Sequence, residues 1–143
     1  MRVNAKRSWW VAVSILLLAG CGGQDGPERV LVSGHITYGG GPWPKPGVIY
    51  FVPIGASPGG TIHPALGHFD VQGDYTAQTF APGDGLVPGK YRVRVECWEV
   101  EPSPDPKNGP PKSYVPDKVT LADLDVPAGT KGGLTANFDV PKR

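Results

Sequence analysis

Two cysteines, three histidines and one methionine among 143 residues leave little material for a disulfide framework or a clustered metal centre. His63 and His68 stand five apart, a spacing that puts them on one face of neither a strand nor a helical turn, so no metal is expected. Charge of one sign is also missing: 14 Lys and Arg face 13 Asp and Glu, which leaves no basic field for nucleic acid. The chain has no Asp-x-Asp-x-Asp-Gly loop closed by glutamate, and Val32-Ser33-Gly34 lacks the first glycine of a nucleophile elbow. No catalytic residue and no cofactor are assigned. Beyond residue 21 no amphipathic helix of three turns can be traced, which excludes helical bundles and α/β folds.

The N-terminus has the three parts of an export signal. Arg2, Lys6 and Arg7 precede an apolar run over residues 9–19, broken only by Ser14 and too short for a spanning helix of roughly 20 residues. The run closes on Leu18-Ala19-Gly20-Cys21, which resembles a bacterial lipobox, with cleavage between Gly20 and Cys21. That resemblance implies a thioether-linked diacylglyceryl group on the Cys21 thiol and an acylated new amine. One chain anchors marginally and two or more stably, so Cys21 is the expected membrane attachment. Gly22, where sorting signals place Asp, favours the periplasmic face of the outer membrane. The expected organisation is a signal peptide at 1–20, a lipidated linker at 21–28 and one domain at 29–143. Loss of three basic and no acidic residues with the signal leaves 11 basic against 13 acidic.

The 21 glycines and 17 prolines fall mostly between short apolar or alternating runs, as in a many-turned β domain. Val30, Val32, Ile36 and Tyr38 alternate with Ser33, His35 and Thr37, the pattern of a half-buried strand. Residues 48–52 are unbroken Val-Ile-Tyr-Phe-Val, predicting a strand covered on both faces. Gln72-Gly73 centres a hairpin between residues 66–71 and 74–80. After Pro88-Gly89, Tyr91, Val93, Val95 and Cys97 are expected inward, with Arg92, Arg94, Glu96 and Trp98 outward. Five prolines between Glu101 and Lys112 predict an exposed, polyproline-like loop. Residues 119–126 fit a short strand or a helical turn, and residues 134–140 alternate again. The expected fold is all-β: a single antiparallel Greek-key sandwich, transthyretin-like or Ig-like, of about seven short strands.

Val32-Ser33-Gly34-His35-Ile36-Thr37-Tyr38, Pro46-Gly47-Val48-Ile49-Tyr50-Phe51-Val52-Pro53, Gly73-Asp74-Tyr75-Thr76 and Pro88-Gly89-Lys90-Tyr91-Arg92-Val93 together resemble small lipoproteins of planctomycete-type bacteria. Those are related to transthyretin-like or carboxypeptidase-regulatory-like β-sandwich domains. The resemblance covers about residues 28–141 and implies a fold and an envelope location. It carries no catalytic residue to this chain.

Candidate sites are correspondingly few. Cys97 is expected to be an inert core thiol, and Asp70, Asp74 and Asp84 to cap turn amides. Trp43, in a loop, and Trp98, facing outward, could offer indole faces to a sugar or a protein. The expected role is a lipid-anchored, non-catalytic envelope module whose partners are the membrane through Cys21 and an envelope protein. A carbohydrate-binding module using Trp43 or Trp98 is the alternative, and a transthyretin-related hydrolase would need the three histidines to converge.

Overall fold

A computed structural model describes residues 26–56, 60–117 and 119–143. Among them lie ten strands: β1 Val32–Tyr38, β2 Gly47–Pro53, β3 Ala65–Phe69, β4 Asp74–Thr76, β5 Gly89–Glu96, β6 Trp98–Val100, β7 Lys112–Ser113, β8 Leu124–Val126, β9 Leu134–Thr135 and β10 Phe138–Val140. The only helical element among the described residues is one 3-10 turn, Pro106–Asn108. The large sheet runs β10-β1-β4-β3-β2-β5-β8, with β9 also on β1, while β6 and β7 form a separate ribbon.

The all-β expectation therefore holds, but the purely antiparallel sheet does not. β1 pairs in parallel with both β9 and β10, through Val32↔Leu134 and Ile36↔Phe138. The reason is the last connection. β8 runs antiparallel to β5 and stops with Val126 opposite Gly89, and residues 127–133 then cross to the start of β1. The chain leaves that end in the direction β1 does. Alternation reports which face a side chain takes and is silent on strand direction. This crossing brings the two margins of the sheet toward each other and curls it into a nearly closed, barrel-like layer.

One face of the layer makes the core. Val32 and Ile36 of β1, Ile49 and Phe51 of β2, Phe69 of β3, Tyr75 of β4, and Tyr91, Val93 and Val95 of β5 are all buried. Phe51 packs against Tyr75 at 6.0 Å and edge-on to Tyr91 at 6.4 Å. The second covered face expected for β2 is incomplete: Val48 and Tyr50 are half-buried and Val52 is 40% exposed, because among the described residues no second layer covers the outside of the sheet. The segment 119–126 resolves into β8. The last alternating run breaks in two where the His35 amide donates to Asn137 Oδ1 at 2.8 Å instead of to main chain.

Two tyrosines lock the layer through their phenols. In Leu86-Val87-Pro88-Gly89-Lys90-Tyr91, the Tyr91 hydroxyl donates 2.6 Å to the Val87 carbonyl, four residues upstream. Such a bond has the form of a tyrosine corner and pins the turn into β5. Tyr75 donates 2.6 Å to the Ala136 carbonyl, tying β4 to the segment between β9 and β10. Gly34 makes that possible, since a Cβ there would run into the Ala136 carbonyl and crowd the Tyr75 hydroxyl.

These phenols must stay protonated. Burial pushes Tyr91 up to about 12 from an ordinary 10.0, and burial raises Tyr75 as well. An unfolded tyrosine ionises near 10, so the folded chain holds the extra protons above that pH. The contribution is whole below pH 10 and is lost as pH rises toward 12. Alkaline unfolding followed by circular dichroism should begin above pH 10. Tyr91→Phe should be about 1–3 kcal/mol less stable at neutral pH, because the Val87 carbonyl loses its partner, yet fall less steeply with pH.

Candidate interaction surfaces

Strand direction gives the domain two distinct ends. The chain enters at Arg29 and Val30, where Val30 and Leu86 exchange backbone bonds of 2.8 and 2.9 Å. Residues 54–56, 60–64, 77–88 and 127–133 gather at this entry end. The turn after β1, the hairpin at Gly73 and the excursion after β5 lie at the opposite, distal end.

Trp43 belongs to the distal end and not to its surface. The ring is 3% exposed, stacks on Tyr38 at 5.0 Å and meets Phe69 at 4.8 Å. Its Nε1 donates 2.9 Å to the Ile36 carbonyl. The expectation of an exposed indole at this position is corrected, because the chain turns back at Gly39 and Gly40, both with positive φ, and lays Trp43 over the open end of the core. Trp98 is half-buried on the ribbon and lines a groove of about 440 Å³ with Lys45, Val48, Tyr50, Glu96 and Glu101.

Beyond Trp98 the ribbon carries the proline-rich arm. Every residue from 101 to 112 is exposed, yet the arm is internally tied. Asp105 accepts from the Lys107 amide at 3.0 Å, Ser103 Oγ binds Asn108 Nδ2 at 2.8 Å, and Lys112 pairs with Glu99 at 2.7 Å across its base. Proline supplies no amide donor, so the arm cannot join the sheet and stands out from it.

The polar candidates divide as their surroundings dictate. Cys97 is buried, with Sγ 3.4 Å from the Lys45 carbonyl, and burial pushes its thiol up, as an inert core cysteine requires. Asp70 accepts from the amides of Gln72 and Gly73 at 2.9 Å each. Asp84 accepts from Thr79 and Ala81 at 2.8 and 3.1 Å. Burial alone would raise the Asp84 carboxyl, but these amides, that of Phe80 and the nearby Arg29 outweigh it and hold it below its usual value. Asp74 instead bonds His35 Nδ1 at 2.9 Å. His68 shares an open groove with Asp74, whereas His63 sits edge-on to Phe80 at 4.9 Å. Among the described residues no three His, Cys, Asp or Glu side chains gather as metal ligands. Gly20 and Cys21 lie outside the described residues.

No protein-family model matches the chain, and neither does any characterised protein or solved structure compared with it.

What the outward faces of the strands hold was missed in the sequence. Leu66 pairs with Tyr50 on one side and Gln78 on the other, and the β1–β4 register carries Gln78 on to Leu31. Phe80, Pro64 and Val52 extend this row toward the entry end. Tyr50, Pro64, Leu66, Phe80 and Pro82 line a groove of about 370 Å³. Arg94 lies opposite Tyr50, Arg92 opposite Val52, and the Arg29 guanidinium sits 5.7 Å over the Phe80 ring. Leu31, Val52 and Phe80 occupy positions that alternation assigns to solvent, which was the available signal.

Proposed function

We propose that this chain is a lipid-anchored, non-catalytic module of the cell envelope, held at a membrane through Cys21 and presenting a β domain to a protein partner. The observation that carries the reading is the polarity of the domain. The chain enters at one end, and the rigid proline-rich arm projects from the other, where a tethered domain is free to meet partners. An extended, proline-fixed segment loses little conformational entropy on binding, and aromatic-lined grooves are the surfaces that take such segments. The tyrosine corner and the crossover from β8 to β1 support the finer reading of a Greek-key sandwich related to transthyretin-like domains. The lipobox and the signal-like run support export and the outer-membrane location.

The carbohydrate alternative rests on Trp98, whose half-exposed ring lies beside Glu96 and Glu101 as acceptors for sugar hydroxyls. Trp43 no longer supports it. A photo-crosslinking residue at position 108 in intact cells tests the choice. The expected result is one discrete protein adduct, lost when the five arm prolines are replaced by serine. Absence of any adduct, together with quenching of Trp98 emission by envelope glycans, would replace the protein partner by a sugar.

A further inference from the structure

Of the four large hydrophobic residues exposed among the described residues, three lie toward the entry end: Leu31 at 60%, Phe80 at 53% and Val52 at 40%. The row Leu31, Gln78, Leu66, Tyr50 and the adjoining Phe80, Pro64 and Val52 join them into one apolar band on the outside of the sheet. A soluble domain gains nothing by leaving such a band in water. Arginines rim it along β5, where Arg92 and Arg94 stand opposite Val52 and Tyr50, while Arg29 beside Phe80 is engaged by Asp84 at 3.5 Å. Arg92 has only a loose ion pair at 3.8 Å with Asp123, both side chains being more than half exposed. Apolar and aromatic groups flanked by long basic side chains suit the boundary between acyl chains and anionic headgroups.

The length of chain ahead of the domain decides what covers the band. From Cys21 to Gly26 is five residues, which reach about 18 Å at full extension. A lipid on Cys21 therefore keeps the entry end, with its apolar band, close to the bilayer.

We propose that this band is a second membrane contact: Leu31, Val52 and Phe80 dip into the lipid interface while Arg92 and Arg94 meet anionic headgroups. The proposal rests on the anchored reading above and adds an orientation to it. The domain lies with the entry-end part of the outer face of β1, β3 and β2 toward the membrane. A lone lipid tether would leave the domain tumbling. A second contact fixes which surface partners meet.

The mature, lipidated protein, labelled with ¹⁵N and placed in phosphatidylglycerol-containing bicelles doped with a gadolinium-chelating lipid, tests this. Amide signals of Leu31, Val52 and Phe80 should broaden several-fold more than those of Val71 and Gly109. Leu31→Ser with Phe80→Ser should leave the remaining spectrum and bicelle association intact, because both side chains are exposed, but should abolish the selectivity. Uniform broadening, or broadening strongest in the arm, would overturn the orientation while leaving the anchor standing. A protein that does not stay with the bicelles would overturn the anchor itself. Selective shifts of the band on adding a soluble envelope extract, with no lipid-induced broadening, would assign it to a protein instead.

Discussion

Trp43→Ala should lower stability by about 3–5 kcal/mol, whereas Trp98→Ala should cost less than about 1 kcal/mol. The contrast follows from burial. Trp43 is enclosed between Tyr38 and Phe69 and its Nε1 satisfies the Ile36 carbonyl, so truncation opens a cavity at the distal end and leaves that acceptor without its donor. Trp98 is half-buried on the two-stranded ribbon, outside the main sheet. Denaturant titration of both variants measures this directly. Equal small losses would return Trp43 to the surface and reopen its use as a binding platform.

Gly34→Ala should be nearly as damaging, at about 3–5 kcal/mol, although only one methyl group is added. The new Cβ would collide with the Ala136 carbonyl, which is backbone and has no rotamer to escape into. Relief requires moving the β9–β10 segment away from β1. That movement strains the Ala136 amide bond to the Ser33 carbonyl at 2.9 Å and the Tyr75 phenol bond at 2.6 Å. Ser33→Ala, next door on the exposed face, should change stability by no more than about 0.5 kcal/mol. A thermal melt of the three proteins separates the outcomes, and a Gly34→Ala protein as stable as the parent would mean that the close approach is not needed.

Strand positions and inward faces were legible because burial imposes a period of two. Tyr91, Val93, Val95 and Cys97 point inward as the pattern requires, and Arg92, Arg94 and Glu96 point out. Strand partners were not legible. The parallel return of β9 and β10 to β1 depends on where residues 127–133 cross, and no local pattern encodes that. The run Val-Ile-Tyr-Phe-Val at 48–52 misled for a related reason. Its outward apolar residues read as a second buried face, but they form part of the band with Phe80 and Leu31. Trp43 misled in the opposite sense, since Gly-Gly-Gly-Pro ahead of it reads as an open loop and instead supplies the reversal that buries the ring. In Leu-Val-Pro-Gly-Lys-Tyr the proline-glycine pair signals the turn, while the phenol bond across it depends on how the turn folds and carries no local signature.

Everything proposed for this domain turns on Cys21, which decides whether the entry end faces a membrane at all. The direct measurement is the intact mass and detergent-phase partitioning of the protein from its native membrane fraction, beside a Cys21→Ala variant. The account predicts a mature chain beginning at Cys21, heavier by a diacylglyceryl group and a further acyl chain, with that modification lost in the variant. An unmodified chain cleaved elsewhere and found in the aqueous phase would contradict it.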